Sequence, residues 1–362
     1  MAEAALRIAI DGRELLGRPT GVGRYLLETL RCWEASGRHE FTIIVPASPP
    51  DDHLGLSDRF AWVVEPSDSA GTLWEQWRLP SALRRLRPDV LFAPAYTAPL
   101  LAPCPVVQVI YDVSFFAHPE WFSSREGMRR RWITRASARR AAAVITISEF
   151  SRSEIAHHLD IPADQIVLAP PGPPPTSAGS PAPRLGLVLF VGSLFNRRRL
   201  PDMIGAFAEA SKTVGDARLV LIGDNRTAPH LDPLQLASAA GVAGKVTWLE
   251  YANETVLTQM YDSARVFLFL SDYEGFALTP MEAIAHGVPA VLLDTPVSRE
   301  IYGGAARLVP ANRSLIAAAL RELLTDDRAH DTLVQSGRAA LARYSWQKSA
   351  DLVLAALERA AR

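Results

Sequence analysis

Short apolar runs alternate with longer helical stretches along nearly the whole chain of 362 residues. Because parallel strands are joined by helices that cross back over the sheet, this alternation predicts βαβ units and parallel sheets. In the first half, the predicted strands are residues 7–11, 41–46, 89–94, 106–112 and 142–148. The predicted helices of the same half are residues 22–35, 73–86, 124–141 and 149–159. The fold class that this pattern predicts is α/β.

A segment dense in Pro, Gly and Ser, residues 169–184, interrupts the alternation. Such a composition forms neither helix nor central strand, and a chain of this length is too long for one ordinary core. Predicted strands then resume at residues 185–192, 217–223, 245–250, 264–270 and 288–294. We therefore predict two doubly wound, Rossmann-like domains that face each other across a ligand-binding cleft.

The same pattern sets the predicted domain limits. The first domain comprises residues 1–172, the linker 173–184, and the second domain 185–344. The remaining residues, 345–362, have the apolar spacing of an amphipathic helix. We expect this helix to pack back onto the first domain.

The charges of the chain nearly cancel, because 38 basic and 39 acidic residues give a formal net charge of -1. This balance argues against a dedicated nucleic-acid binder, which needs a basic face for the phosphate backbone. Cys32 and Cys104 are far apart, which argues against a disulfide scaffold or a structural zinc site. The eight histidines are scattered, and no metal site is predicted. No apolar run approaches about 18 residues and no export signal is recognisable, so we expect a cytoplasmic protein.

Three glycines follow the first predicted strand, at the point where a ligand of an open parallel sheet would lie. Gly17, Gly21 and Gly23 precede or open a helix, and glycine lets a backbone approach a ligand closely. Their spacing is not that of a dinucleotide-binding fingerprint. Contact with a phosphate or sugar and a plain turn are both compatible with these glycines.

Three consecutive arginines, residues 197–199, lie between the first strand of the second domain and the next helix. Cations at a helix N-terminus oppose the helix dipole, and a bound anion would resolve that conflict. Guanidinium groups suit phosphate oxygens, so a diphosphate is the natural candidate. The alternative is a solvated basic loop.

Two glutamates flank a predicted helix start in SDYEGFALTPMEAIAHG, residues 271–287. Thr279, Pro280 and Glu282 fit a capping box, which predicts Thr279 at the N-cap and Glu282 three residues later. Glu282 would then both cap the helix and meet a ligand hydroxyl. We expect the backbone amides of the preceding loop to face the same crevice as Arg197 and Arg198. These amides belong to Gly275, Phe276, Ala277 and Leu278.

Together these residues resemble the family 4 retaining glycosyltransferases, which have the GT-B architecture of two Rossmann-like domains. The resemblance covers nearly the whole chain, in five motifs that occur in the right order. The motifs are IDGRELLGRPTGVGRY near the start, YDVSFFAHPEWF (111–122), VITISEFSRSEI (144–155), FVGSLFNRRRLPDMIGAF (190–207) and the Glu-x7-Glu loop from Glu274 to Glu282. AHGVPAV and GGAARLVP extend the match further.

The resemblance implies roles for the candidate residues. Glu282 would hold the donor ribose, Glu274 would meet the donor sugar, and Arg197 and Arg198 would hold the diphosphate. Gly21 and Gly23 would lie against the donor, and Asp112, Glu274 and Arg197 form the implied catalytic set. The family usually has Lys where this chain has Arg198, which is a small change.

A larger departure from the family occurs at Tyr111, where a His commonly precedes the Asp. A tyrosine donates a hydrogen bond but titrates far above an imidazole, so the contacts to the transferred sugar need not follow the family. We take Tyr111 and His118 as candidates for contact with the sugar or the acceptor. The alternative for His118 is a structural or exposed side chain.

The resemblance implies a metal-independent, cofactor-free hexosyltransferase of polysaccharide biosynthesis that retains the anomeric configuration. GDP-mannose is the first donor to consider, and the acceptor is a glycan, a lipid-linked sugar or a small molecule. One alternative is a nucleotide-sugar 2-epimerase of the same architecture, which needs further acid and base carboxylates. Another is a non-enzymatic two-domain sugar-binding protein.

Residues 121–140 are the segment considered for contact with the acceptor. They hold seven arginines and one acidic residue, Glu126. Trp121, Phe122, Trp132 and Ile133 are interleaved with these charges. A basic amphipathic helix suits an anionic membrane surface, which would place the protein peripherally at the inner face of the membrane. The ordinary alternative is a solvated helix that packs through its aromatic side chains.

Overall fold

The computed structural model describes residues 5–17, 21–35, 38–50, 52–67, 71–174 and 186–362. The chain forms two compact units, Met1–Gly172 with Tyr344–Arg362, and Pro173–Arg343. Residues 175–184 of the predicted linker lie outside the described residues. None of the helices formed by the described residues combines the length and apolar character needed to span a bilayer.

The described part of the first unit contains one parallel sheet of seven strands. Its strands are β1 (Arg7–Asp11), β2 (Glu40–Val45), β3 (Phe60–Val64), β4 (Val90–Ala93), β5 (Val106–Val109), β6 (Ala143–Thr146) and β7 (Ile166–Leu168). They are arranged in the order β3-β2-β1-β4-β5-β6-β7. The central strands are buried on both faces, which explains why they consist mainly of Val, Ile, Leu, Phe and Ala.

Helices cover the first sheet. They are α1 (Gly21–Trp33), α2 (Leu79–Leu86), α3 (Ser114–Ala117), α4 (Ser124–Ala138) and α5 (Glu149–Leu159), and a π-helical turn, Trp74–Arg78, runs directly into α2. Trp74, Leu79 and Leu83 pack on Ala9 and Leu91 of the sheet in one apolar cluster. The amphipathic spacing predicted for residues 73–86 therefore serves to cover the sheet.

The second unit has the same plan. Within its described residues the strands are β8 (Leu187–Val191), β9 (Arg218–Ile222), β10 (Val246–Leu249), β11 (Val266–Phe269), β12 (Ala290–Leu293) and β13 (Arg307–Val309). All are parallel, in the order β10-β9-β8-β11-β12-β13. The helices are α6 (Leu200–Ala210), α7 (Pro233–Ala239), α8 (Glu254–Ser263), α9 (Leu278–Ala285), α10 (Pro296–Tyr302), α11 (Arg313–Thr325) and α12 (Asp327–Leu341).

The predicted α/β class with two doubly wound parallel sheets is confirmed. The sequence pattern did not predict three of the strands, β3, β7 and β13, and all three are edge strands. An edge strand is covered incompletely, and β7 and β13 are only three residues long, so they lack the continuous apolar run that marks a central strand.

Each sheet has one topological switch point, where successive connections leave in opposite directions. In the first unit it lies between β1 and β4, and in the second unit between β8 and β11. The crevice that forms beyond the carboxyl ends of two such strands is the usual ligand site of an open α/β sheet. Residues that follow these four strands are therefore the first candidates for a functional site.

The last helix, α13 (Trp346–Ala360), belongs to the first unit and packs on α1. The buried Tyr25 hydroxyl donates to the carbonyl of Ala169 at 3.1 Å and lies 3.2 Å from the Ser349 hydroxyl. Ser349 donates to the same carbonyl, and the Trp33 indole donates to the carbonyl of Ala350. These bonds join the two ends of the first unit in a region closed to water.

We predict that Tyr25→Phe lowers the stability of the first unit by about 1 kcal/mol, the net contribution of a buried hydroxyl hydrogen bond. Faster hydrogen exchange of the α13 amides would measure the loss. Ser349→Ala and the double variant complete a double-mutant cycle. Because both hydroxyls donate to the same carbonyl, the stability losses of the two single variants should not add in the double variant. Unchanged exchange in Tyr25→Phe would contradict this description of the docking.

Candidate functional site

In the second unit, two glycines at strand ends make room for a guanidinium group. Gly192 follows β8 with φ +138°, and a Cβ there would lie 2.4 Å from Nη1 of Arg198. Gly223 follows β9, and a Cβ there would lie 2.2 Å from the Gly192 carbonyl oxygen. The backbone is thus shaped so that Arg198 can lie directly beyond the central strand of the sheet.

Arg198 is paired with Glu274, which follows β11 on the other side of the switch point. Nε of Arg198 donates to Oε1 of Glu274 at 3.1 Å, and Nη1 donates to the Ser193 carbonyl at 2.8 Å. The Ser271 hydroxyl donates to the same Oε1 at 2.9 Å. Burial alone would raise the pKa of Glu274, but the charges of Arg198 and Arg197 and these hydrogen bonds outweigh it and hold that pKa below its usual value. The carboxylate is therefore ionised at neutral pH.

Arg197 lies beside the same carboxylate, but its Nε does not donate a hydrogen bond to it. Its Nε is 3.8 Å from Oε1 of Glu274, and this buried Nε makes no hydrogen bond to any described residue. Its guanidinium group is 4.4 Å from the ring centroid of Phe195. Arg198 contacts the same ring, and Arg198 also lies over Phe269 at 4.9 Å. Two guanidinium groups thus share one carboxylate, which leaves excess positive charge and an unused donor.

Arg199 does not belong to this group. It is the N-cap residue of α6, and it pairs with Asp272 at 2.7 Å and with Asp202 at 2.9 Å. The expectation that an anion compensates all three arginines is therefore wrong for Arg199. Asp202 lies in the first turn of α6, where a carboxylate also complements the helix dipole.

The predicted capping box is wrong. Helix α9 begins at Leu278 and its N-cap residue is Ala277, which has φ +66° and makes no side-chain cap bond. Thr279 is consequently inside the first turn and Glu282 inside the second. Because Glu282 is only 6% exposed, its position needs a different explanation from capping.

Tyr261 of α8 supplies that explanation. Its hydroxyl, buried with the rest of the side chain, donates to Oε2 of Glu282 at 2.9 Å. The Tyr261 ring stacks on His286 at 5.2 Å, and Nδ1 of His286 lies 2.8 Å from Oδ1 of Asp262. Glu282 is therefore a buried carboxylate whose rotamer is set by a tyrosine on the neighbouring helix.

The loop between Glu274 and Glu282 is held in place by a hydrogen bond from helix α10. Phe276 is buried, and the Tyr302 hydroxyl of α10 donates to the carbonyl of Ala277. Gly275 precedes Phe276 in the loop, and Leu278 is the first residue of α9. Glu274, Ala277 and Tyr302 line one small pocket together with Phe269. Of the loop residues predicted to contact the donor, Phe276 and Ala277 therefore share a pocket with Glu274.

The first unit carries a second charged cluster at its own switch point. Arg13 donates to Oε1 of Glu75 at 2.5 Å and lies 3.4 Å from Oδ2 of Asp11, all three side chains being buried. The Thr97 hydroxyl, beyond β4, donates to Oε1 of Glu75 at 2.6 Å, and Gln76 donates to Oε2. Here one guanidinium group faces two carboxylates. Burial raises the pKa of Asp11 to about 6. The charge of Arg13 opposes this rise, and the charge of Glu75 adds to it.

Asp112, one of the predicted catalytic residues, follows β5 and is held by its surroundings. Its Oδ2 accepts a hydrogen bond from the Tyr96 hydroxyl at 2.8 Å, and its Oδ1 accepts one from the Ser114 amide. Tyr96 has φ +64°, which is unusual for a bulky residue, and the buried Gln108 side chain donates to its carbonyl at 2.6 Å. Such strain, enforced by neighbouring groups, is typical of functional sites.

The two residues taken as candidates for sugar or acceptor contact differ in accessibility. Tyr111 is buried between Tyr25 and Tyr96, and burial raises the pKa of its phenol well above the ordinary value. His118 is partly exposed, stacks on Trp121 at 3.9 Å and lies 3.1 Å from Glu120. The Tyr111 ring therefore acts in packing, while His118 presents an accessible edge.

Gly21 and Gly23 open helix α1. A Cβ at Gly23 would lie 2.4 Å from the carbonyl oxygen of Glu14, so this glycine is required by the packing of α1 on the Arg13–Leu15 turn. Gly21 is the exposed first residue of the helix, and Gly17 has φ +80°. Residues 18–20, between these glycines, lie outside the described residues.

Sequence reasoning missed Asp11, Arg13, Glu75 and Tyr261. Asp11 and Arg13 end or follow the first predicted strand, so the rule that directed attention to the glycines could also have identified them. Glu75 and Tyr261 stand in helical stretches where only the tertiary contacts single them out. Among the described residues, His, Cys, Asp and Glu side chains form no group of three or more that could hold a metal ion.

The chain is similar to known glycosyltransferases in sequence. Residues 19–176 match the family model described as Glycosyltransferase Family 4, and residues 181–340 match that of Glycosyl transferases group 1. The chain is 28% identical over 255 residues to O-antigen chain mannosyltransferase B of Escherichia coli, covering 67% of each protein. It is 23% identical to O-antigen chain mannosyltransferase RfbU of Salmonella typhimurium, over 59% of this chain and 58% of that protein.

Solved structures share the fold. The crystal structure of Anabaena Alr3699/HepE in complex with UDP and glucose superimposes with a TM-score of 0.76 at 17% identity. The superposition covers 98% of this chain and 100% of the other. Neither the epimerase nor the sugar-binding-receptor alternative is supported by these comparisons.

We predict that the Asp11 carboxyl titrates near pH 6, against about 4 in an unfolded chain. Because the folded state then binds more protons, this carboxyl stabilises the protein below pH 4, and its contribution is lost as the pH rises through 6. Relative to Asp11→Asn, the wild type should lose about 2 kcal/mol of unfolding free energy between pH 4 and 7. Carbon-detected NMR titration gives the midpoint directly. A midpoint near 4 would contradict the prediction.

Proposed function

The chain belongs to the glycosyltransferases of GT-B type, and from this we propose that it transfers a hexose from a nucleoside-diphosphate sugar to an acceptor hydroxyl with retention of configuration. One observation carries the donor proposal. Arg197 and Arg198 share the single carboxylate of Glu274, and Arg197 keeps a buried Nε without a described partner. A pyrophosphate supplies the negative charge and the acceptor oxygens that this arrangement lacks.

The reaction explains why the site needs cations. As the acceptor oxygen bonds to the anomeric carbon, the bond from that carbon to the phosphate oxygen breaks, and negative charge develops on the departing diphosphate. Preorganised donors that meet this charge stabilise the transition state. The retaining course follows the family resemblance, with the acceptor proton passing to the departing phosphate on the same face. In this proposal the arginines supply the positive charge, and neither a metal nor a cofactor takes part.

Glu274 has two tasks in this proposal. Its ionised carboxylate holds Arg198 beyond β8, and as the resemblance implies it meets the transferred sugar. Glu282 contacts the donor ribose, and Tyr261 keeps that carboxylate in place through its hydroxyl. Such a buried hydrogen bond fixes the rotamer before the ligand arrives, which reduces the entropy lost on binding.

The donor and acceptor are proposed from the relatives. Two of them carry the names of O-antigen chain mannosyltransferases, so we take GDP-mannose as the donor and a growing polysaccharide as the acceptor. A lipid-linked acceptor would bring the enzyme to the inner face of a membrane, as a peripheral protein. In the first unit, Asp112 and the partly exposed His118 are the groups proposed to face this acceptor.

We predict that Arg197→Ala lowers kcat/KM for the donor about 100-fold, the usual cost of one electrostatic donor at a charged transition state. Calorimetry with GDP should show weaker binding as well. Arg199→Ala is the matched control, because it removes the same charge from the adjacent position, where Asp272 and Asp202 already satisfy it. Equal effects of the two substitutions would refute the assignment of Arg197 to the diphosphate.

We further predict a division of roles between the two glutamates. Glu282→Ala and Tyr261→Phe should raise KM for the donor, by several-fold for Tyr261→Phe, with kcat little changed. Glu274→Gln should lower kcat instead, because this carboxylate is proposed to act at the sugar. Steady-state kinetics of the three variants with one donor measure the division. A fall in kcat alone for Tyr261→Phe would contradict the positioning role.

A further inference from the structure

Ala277, which precedes α9, has a backbone conformation that alanine rarely adopts. Its φ is +66° and its ψ is +83°, in the left-handed region. There the Cβ of an L-residue comes too close to a carbonyl oxygen, whereas glycine enters the region without that cost. The methyl group of Ala277 cannot cap the helix either, and this residue makes no side-chain cap bond. Contacts with the rest of the second unit must therefore impose the conformation.

One such contact comes from Tyr302, the last residue of α10. Its hydroxyl donates to the Ala277 carbonyl, and the residue is only 1% exposed. A buried tyrosine hydroxyl usually keeps a hydrogen-bond partner, because breaking the bond would leave polar groups without water. The bond to Ala277 therefore resists the relaxation that the alanine backbone would otherwise undergo.

Helix α10 is itself fixed at both ends. Nη2 of Arg343 donates to the carbonyls of Glu300 and Ile301, at 2.8 and 2.7 Å, in the last turn of the helix. At the other end, the hydroxyl of the N-cap residue Thr295 accepts a hydrogen bond from the Ser298 amide. Both contacts satisfy backbone groups that have no partner within the helix. The tyrosine hydroxyl is therefore carried by an element that has little freedom to follow the loop.

The loop that ends at Ala277 is attached to the arginine turn at its other end. The Asp272 amide donates to the Arg197 carbonyl at 2.9 Å, and Glu274 accepts the hydrogen bond from Nε of Arg198. Two residues separate Glu274 from Ala277. A segment this short, fixed on both sides, has few conformations, so the direction of its amides depends on both attachments.

The sign of φ at Ala277 sets the direction of the amide before it. Rotation about the N–Cα bond turns the whole peptide unit between Phe276 and Ala277, because the peptide bond is planar. A return from +66° to an ordinary helical φ of about −63° would turn that unit by roughly 130° relative to α9. The Ala277 N–H would then no longer point in the direction that it has in the intact loop.

The space beside Tyr302 is too small for the ligand itself. Tyr302, Ala277, Phe276 and Glu274 line one pocket of about 10 Å³, which is roughly the room that a single water molecule needs. A hexose does not fit there. An effect of Tyr302 on the donor would therefore pass through the loop.

We propose that Tyr302 is a positioning residue of the donor site. Its hydroxyl holds Ala277 in the left-handed conformation and so fixes the amides of residues 275–278 in the direction that a diphosphate requires. The part of this statement that concerns the diphosphate rests on the proposed function. The effect of Tyr302 on the loop itself needs no ligand.

Calorimetry with GDP tests the effect on the donor site. Tyr302→Phe should weaken GDP binding about fivefold, the equivalent of one lost hydrogen bond, and should raise KM for the donor with kcat little changed. Adding Ala277→Gly should restore GDP affinity to within about twofold, because glycine populates both signs of φ about equally. The double variant shares any general damage that Tyr302→Phe causes, so restored affinity would identify the backbone of residue 277 as the cause.

Tyr25→Phe is the matched control. It also removes a buried tyrosine hydroxyl that donates to an alanine carbonyl, in this case that of Ala169 in the first unit. Both substitutions should lower the stability by similar amounts, measured by thermal unfolding, but Tyr25→Phe should leave GDP affinity at the wild-type value. Equal losses of GDP affinity in the two variants would overturn the proposal.

Hydrogen exchange of the unliganded protein tests the loop directly. The amides of residues 276–278 should exchange faster in Tyr302→Phe than in the wild type. Unchanged exchange, or a loss of GDP affinity that Ala277→Gly does not reverse, would overturn the proposal. A wild type that binds no GDP would contradict the proposed donor, and hydrogen exchange would then still decide the role of Tyr302.

Discussion

The sharing of one buried carboxylate by two guanidinium groups is the interaction on which the candidate site depends. Glu274 neutralises one of the two charges, and it stays ionised because Arg198 and Arg197 outweigh the cost of its burial. Removing one partner from such a group leaves an uncompensated buried charge, which is the expensive case in a protein interior. The remaining positive charge, on Arg197, packs against the Phe195 ring beside the carboxylate, where an anionic ligand could meet it.

The two units use the same plan with opposite charge balance. In the second unit, residues beyond β8 and β11 place two cations around one acid, whereas in the first unit residues beyond β1 and β4 place two acids around one cation. Burial, with a smaller contribution from Glu75, raises the pKa of Asp11 to about 6 in the acid-rich cluster, and the excess cation of the second unit suits a diphosphate. A division between a donor-binding unit and an acceptor-binding unit agrees with this difference.

Much of the fold and part of the site could be predicted from sequence. The central strands are buried on both faces and so appear as continuous apolar runs, and Arg198 and Glu274 stand directly after two of them. The capping role predicted for Glu282 is wrong, because Thr279 and Pro280 resemble a helix start in sequence while the backbone enters the left-handed region at Ala277 and the helix begins earlier. Local sequence rules describe a helix end only when no tertiary contact, such as the Tyr302 hydroxyl, holds the preceding loop.

The sequence by itself determined the two parallel sheets and the positions after each strand where the candidate site residues lie, since both depend on the spacing of apolar residues along the chain. Only the tertiary structure decided which of those positions face one another. Arg198 and Glu274 are 76 residues apart, Arg13 and Glu75 are 62 apart, and Tyr261 and Glu282 are 21 apart. Which strand ends become neighbours depends on the crossing direction of the connections, and which charges become buried depends on the packing that follows. Neither property is encoded in the periodicity of a single segment.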